Sequence, residues 1–281
     1  MSIVLRQMNE NDTETGYQLS QQVKWPHRRE DWLQAYRLGE GLVATEAGKT
    51  VGCALIWHWG GSHTLGLVIV DPLCQGRGIG KLLMEGLLEK SPGGMVRLHA
   101  TEMGKGLYEK YGFRQQSPMH QHQSASLPPF PAATLAPGQR LRAATADDLP
   151  RLIDYDYSAH GLRRTALYED LAGSSEFITV LESGDEMAGF AVVRRFGRGY
   201  VVGPLLARDE AAARTLFCDC AARLQDEFVR IDTQGEWPFS LWLKAQGMPV
   251  VDAPVMMIRG TPWQKQPDAF LDFGLFSQAL G

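Results

Sequence analysis

The sequence contains no long apolar run. Leu65 to Val70, the stretch that leads into the glycine-rich segment, is six residues long, against the roughly 20 that a helix needs to cross a bilayer. No Lys/Arg run exceeds two residues, and the formal net charge is −4. A chain that binds DNA or RNA normally carries a basic footprint, so no nucleic-acid partner and no membrane partner are expected. Met1 to Glu14 lacks the basic-then-apolar order of a secretory signal, and a cytoplasmic location is expected. Cysteine is scarce. The four present, Cys53, Cys74, Cys218 and Cys220, form no CxxC pair and have no histidine close enough in sequence to suggest zinc. They are expected as buried or half-buried free thiols, and no metal is expected. Disorder throughout the chain is excluded by a 44% hydrophobic and 21% charged composition.

At 281 residues the length suggests about two domains. Four of the fifteen prolines fall between Ser126 and Gly138. Proline fixes φ and removes a backbone donor, so this segment forms neither a helix nor an inner strand. It divides the chain into residues 1–126, a linker 127–138, and residues 139–281.

Each half reads as mixed α and β. In the first, strands are expected at 3–7, 42–46, 50–59, 64–70 and 95–100, with a final strand pair from Phe113. Helices are expected at 12–23, with Asp12 as N-cap, and at 29–39, 79–90 and 103–111. The second half repeats the order loosely. Its strands are expected at 140–143, 176–182, 187–195, 200–205, 229–233 and 250–258. Its helices are expected from Asp147, at 210–227 and at 238–246. The pattern suggests a diverged internal duplication.

The segment that carries chemistry runs from Leu65 to Leu83. It is a strand, a tight loop and a helix. Successive N–H groups in such a loop form an anion nest, and the helix N-terminus adds its own unsatisfied N–H groups. Gly76, Gly78 and Gly80 let the backbone approach a bulky anion, and Arg77 and Lys81 add positive charge. A pyrophosphate is the expected guest. The loop is not a Walker loop, because Gly80-Lys81 is followed by Leu82 and Gln75 stands five before Gly80. It is not a dinucleotide fingerprint either, because Gly76-x-Gly78 is followed by Lys81.

What remains, Gln75-x-x-Gly78-x-Gly80 preceded by Val70-x-Pro72, resembles the acyl-CoA loop of the GCN5-related N-acetyltransferases. The later run Thr101-x-x-Gly104-x-x-Leu107-Tyr108, followed by Gly112-Phe113, is similar to a second family segment. Residues 1–125 carry these motifs. Trp25 and Asp31-Trp32 look like a tandem bacterial subgroup, and Gly161-x-Arg163 and Val202-Gly203-Pro204-Leu205-x-Ala207 look like its second domain.

The resemblance implies an α/β (α+β) chain of two tandem acetyltransferase-like domains, each a mixed, mostly antiparallel sheet flanked by helices. It implies acetyl-CoA as cosubstrate, a small-molecule amine as acceptor, and a monomer or homodimer. Val68, Ile69, Val70, Gln75, Gly76, Arg77, Gly78, Ile79, Gly80, Lys81, Thr101 and Tyr108 would bind acetyl-CoA. Tyr108 would also protonate the departing thiolate as general acid, and a backbone N–H near Ile69 or Val70 would polarise the thioester carbonyl. Many members carry asparagine where Thr101 stands.

The base for the amine stays open among His58, His63, Asp31 and Glu46. His99 reads as a core residue, and His120 and His122 alternate on a strand. His160 with Arg163 and Arg164 is either a site for an acidic group or a solvated surface. Trp237, Phe239 and Trp242 either line a pocket between the domains or, by default, pack in the core. The second half has no glycine loop, and Asp209-Glu210 stands where a pyrophosphate would sit. The alternative to an enzyme is a non-catalytic acyl-CoA sensor.

Overall fold

The computed structural model describes residues 2–281. In the first half β1 (Ile3–Gln7), β2 (Glu40–Glu46), β3 (Lys49–Trp59) and β4 (Ser62–Val70) lie side by side and antiparallel, and β5 (Val96–Ala100) runs parallel to β4. The hairpin turns are two residues long. Ala47 and Gly48 join β2 to β3, and Gly60 and Gly61 join β3 to β4, all four with positive φ. That geometry matches the right-handed twist of the strands.

Helices α1 (Asp12–Gln22) and α2 (Arg29–Leu38) cover one face, and α3 (Ile79–Glu89) the other. With both faces covered, β3 is buried from Val51 through Trp57. Its Trp57 indole is fully buried and donates to the Ala35 carbonyl at 2.8 Å. The expected cap at Asp12 is corrected. Asn11 holds the N-cap position, while buried Asp12 accepts two hydrogen bonds from Arg6, each 2.7 Å, and one from Asn9 N–H. Helix α4 (Lys105–Glu109) is shorter than the pattern suggested.

The second half repeats this plan. Its strands are β7 (Gln139–Ala143), β8 (Phe177–Ser183), β9 (Glu186–Phe196), β10 (Gly199–Ala207) and β11 (Val229–Gln234). Its helices are α5 (Leu149–His160), α6 (Thr165–Ser174), α7 (Glu210–Arg223) and α8 (Pro238–Ala245). The sequence reading missed α6, and α5 begins only after a 3₁₀ turn at Ala146–Asp148. The expected strand 250–258 breaks at Ala253-Pro254 into β12 (Val250–Asp252) and β13 (Val255–Arg259).

The halves exchange strands. The pair of strands expected from Phe113 is one long strand, β6 (Arg114–Ser124). Its first part pairs with β13, and its second part crosses to pair with β11 and β12 of the other half. In return β13 inserts between β5 and β6. The crossing falls at Pro118, which lacks an N–H for a continuous ladder. The result is one twelve-strand path running β1-β2-β3-β4-β5-β13-β6-β11-β10-β9-β8-β7. One apolar cluster likewise joins Trp32, Trp57 and Leu67 to Leu167, Tyr168 and Phe190. Residues 125–138, between β6 and β7, form neither helix nor strand.

Candidate active site

The glycine-rich loop follows β4. The Asp71 carboxylate accepts from Leu73 N–H at 2.9 Å and sets a 3₁₀ turn at Pro72–Cys74. Gly76 and Gly78 then adopt φ of +75° and +80°, conformations that L side chains rarely reach. Gly78 caps α3 with no side-chain hydrogen bond. The backbone N–H groups of Gln75 through Lys81 have no acceptor among the described residues, and Leu82 N–H is the first to be bonded, to Gly78. This is an open anion nest at a helix N-terminus. The side-chain charges contribute less than the sequence suggested. Arg77 forms a fork with Glu46 at 2.6 and 2.9 Å, and Lys81 lies 3.8 Å from Glu85 at the surface.

Strands β4 and β5 splay apart. Their pairing is limited to His63 with Val96 and Thr64 with Arg97. From Leu65 to Val70 that edge of β4 has no strand beside it. A bulge sits on the opposite edge. Gly66 faces Leu55 and Ile69 faces Cys53, so Leu67 and Val68 share one partner, and Leu67 takes a φ of +52°. A bulge of this kind bends the strand and re-aims its groups.

A cavity of about 270 Å³ opens at the splay, between the two halves. Leu67, Val68, Leu98, Thr101 and Tyr108 line one side. Tyr108 on α4 is half-buried, packs edge-to-face on Phe113 at 6.1 Å, and has its phenol pushed up to about 12 by burial. Gly104 makes room for it, since a Cβ there would stand 2.9 Å from the Tyr108 ring. Of the twelve residues expected at the cofactor, Val68, Thr101 and Tyr108 line this cavity. Gln75 to Lys81 form the loop beyond it, Val70 lies at the end of the free edge, and the Ile69 side chain turns into the core.

The candidate bases separate. His58 and His63 face each other across the hairpin at 2.8 Å, with Glu40 on His58, and neither reaches the cavity. Glu46 is held by Arg77. Asp31 does line the cavity, yet its carboxylate already accepts from Arg28 at 2.7 Å and from Gly197 N–H at 3.0 Å. His99 also lines it, with Nδ1 on the Gln278 carbonyl at 2.8 Å. Burial pushes its pKa down to about 3. His27, which the sequence reading passed over, lines it too. Burial lowers that imidazole to about 4, and its Nδ1 has no partner.

The remaining sites are structural. His120 and His122 both meet the Ser240 hydroxyl, at 2.8 and 2.9 Å. His160 and Arg164 are buried, contrary to a solvated surface, and Arg164 pairs with Asp156 in the interior. Trp237, Phe239 and Trp242 pack in the core of the second half. All four cysteines are free, and three are buried. No cluster of three or more metal-ligating side chains occurs among the described residues. No helix among them is long and apolar enough to cross a membrane.

The equivalent cleft of the second half is filled by the chain itself. Strands β10 and β11 pair only at Tyr200–Val229 and Val201–Arg230 before splaying. Into that gap runs β14 (Leu271–Gly274), antiparallel to Leu205–Ala207. The helix N-terminus beyond it is satisfied internally, because Asp209 caps α7 by accepting from Ala212 N–H at 2.8 Å. The sequence reading gave no signal of β14. From there the chain continues across the molecule, and residues 276–280 become a wall of the first half's cavity.

The sheet with one splayed strand pair, an open anion nest beyond it and a tyrosine at the splay define an acyltransferase fold, and comparison with known proteins agrees. Residues 37–115 and residues 152–270 match two family models, each described as an acetyltransferase (GNAT) domain. The chain belongs to the GNAT acetyltransferase family as a tandem member, and acyl transfer is the reaction class of that family. It is 26% identical over 192 residues to the uncharacterized N-acetyltransferase YitH of Bacillus subtilis, covering 68% of this chain and 67% of that one. It is 26% identical over 198 residues to the holothin acyltransferase of a Pseudoalteromonas species, covering 69% and 66%. A structure from Pyrococcus horikoshii assigned to the acetyltransferases shares the fold, with a TM-score of 0.77 at 22% identity over 99% of this chain and 96% of that one.

Proposed function

We propose that the chain transfers an acetyl group from acetyl-CoA to the amine of a small molecule, at a single site in its first half. The observation that carries this reading is the unpaired edge of β4, which runs from the open N–H groups of Gln75–Lys81 to the cavity at Tyr108. The loop amides would hold the pyrophosphate. The N–H and C=O groups of Val68 and the N–H of Val70 would pair with the amide-bearing pantetheine arm as a strand would, while the Val70 carbonyl accepts from the Gln75 side-chain amide at 3.3 Å. That places the thioester at the cavity, where the bulge at Leu67–Val68 re-aims a backbone N–H toward the carbonyl oxygen.

The amine nitrogen attacks the carbonyl carbon, the C–S bond breaks, and the sulfur takes the phenolic proton of Tyr108. Burial keeps the phenol protonated at neutral pH, so it holds a proton for the sulfur, and solvent returns a proton to the phenolate afterwards. His27 and His99 are held neutral by burial and are weak bases, and Asp31 is committed to Arg28. The reading therefore sends the amine's proton to solvent. The protein is a cytoplasmic enzyme in this reading and needs no metal. Release of free thiol from acetyl-CoA, followed across a panel of primary amines, tests it. Binding of CoA with no thiol release from any amine would favour a non-catalytic acyl-CoA sensor instead.

A further inference from the structure

The cavity wall contributed by the second half carries an unusual cation. Arg194 is 3% exposed, and its guanidinium has no carboxylate partner among the described residues. Its one hydrogen bond runs from Nη2 to the Phe276 carbonyl at 2.5 Å, its Nε has no acceptor, and its face stacks on the Phe276 ring at 3.9 Å. Burying a guanidinium without a counter-charge is costly. Burial accordingly lowers Arg194 to about 9, which still leaves it charged at neutral pH.

Asp31 and Asp232 favour the charge of Arg194 from a distance, but neither is bonded to it, and each is held by another arginine. Arg230 is paired with Asp232 at 2.6 Å, and Asp31 with Arg28 at 2.7 Å. Arg198 and Lys24 line the same cavity without an ion pair, and Asp252 is the single unpaired carboxylate in the lining. The balance is positive, in a cavity sized for a small molecule and continuous with Tyr108.

We infer that the acceptor is an amine that also carries a carboxylate, and that this carboxylate docks on Arg194 while the amine faces the thioester. This rests on the reading above, in which acyl transfer occurs at this cavity. A guanidinium flanked by aromatic rings suits a planar carboxylate, because the rings hold its plane and leave its edge to donate. The selectivity belongs to the second half, which supplies Arg194, Arg198 and Phe276, while the first half supplies the cofactor loop and Tyr108.

The test uses the full chain and matched pairs of amino acids and their C-terminal amides. Thiol release should run at least about tenfold faster with the acid of a reactive pair than with its amide. Arg194→Gln should raise the acceptor KM about 30-fold with the acetyl-CoA KM unchanged, and Arg194→Lys should recover part of the loss. Equal rates for acid and amide would overturn the proposal, and that comparison needs no variant. Binding of the same compounds, measured by calorimetry without acetyl-CoA, separates the two readings. Acids that bind and amides that do not, with no thiol release from either, would sustain the carboxylate site and sink acetyl transfer. Thiol release from amines with no preference for the acid would do the reverse.

Discussion

Gly66 and Ala279 are in contact across the two halves. A Cβ on Gly66 would stand 2.8 Å from both Cα and Cβ of Ala279. Gly203, within the bulge of β10, meets the same segment four residues earlier, where a Cβ would strike the Leu275 carbonyl. One stretch of chain thus presses on both splayed strands and needs a glycine at each.

Gly66→Val forces that segment away from β4. Overpacking of this kind costs about 1–3 kcal/mol, which urea unfolding would read as a lower midpoint with an unchanged slope. In the proposed reaction the displaced wall faces the acceptor, so the acceptor KM should rise more than the acetyl-CoA KM. Equal changes in the two would contradict the placement of residues 276–280.

Gly78 sits at a φ of +80° with open space around it. Gly78→Val is strained by about 1–3 kcal/mol and changes the direction of the loop amides. CoA binding by calorimetry should be lost while the folded state persists in circular dichroism. For the native chain the same titration should give one CoA per chain, because β14 fills the second cleft and Asp209 caps its helix. A stoichiometry of two would refute that.

Tyr108→Phe should lower kcat about 100-fold and leave CoA affinity nearly unchanged. With its phenol near 12, Tyr108 is in the acid form below that value. The native rate should therefore show no alkaline decline from this group below about pH 10. Unchanged turnover in the variant would remove Tyr108 from the mechanism.

Acid should destabilise the fold from about pH 6.5 downward, above the range in which ordinary carboxylates titrate. An unfolded histidine takes up a proton near pH 6.5, but folded His27 does so only near 4 and His99 near 3, and burial holds His160 well below its ordinary value. Below pH 6.5 the unfolded chain holds more protons, so stability falls as pH falls. Asp272 opposes this, since burial raises it to about 6 and the folded state takes its proton first. Burial lowers His63 and His122 as well, so at least about two protons net remain near pH 5, or about 2–3 kcal/mol or more lost per pH unit. Denaturant titrations at pH 7, 6 and 5 check the sign.

The strand–loop–helix at Leu65–Leu83 was legible because its chemistry is local. Glycine spacing, the preceding Val70-x-Pro72 and the apolar helix period all lie within 20 residues. The hairpins of β2–β4 and β8–β10 were legible for the same reason. The exchange of β6 and β13 was not, because nothing in the period of either strand names its partner. Pro118 reads as a strand breaker and is the point where one strand leaves one sheet for another. β14 is four residues long and exists because β10 offers an open edge. Arg194 was invisible as a site residue. Its neighbours in sequence read as a strand, and its lack of an ion pair is a property of the packed molecule.

The exchanged strands also set an order of events during synthesis. The first half cannot close its sheet between β5 and β6 until Val255–Arg259 has been made, some 130 residues after β6 ends. At ribosomal rates that is a wait on the order of 10 s. Through that interval β5 presents an unpaired edge, and β6 has no neighbour until Val229–Gln234 has been made. Such edges are templates for wrong pairing, so the nascent chain is most open to mispairing while its first half is already fully translated.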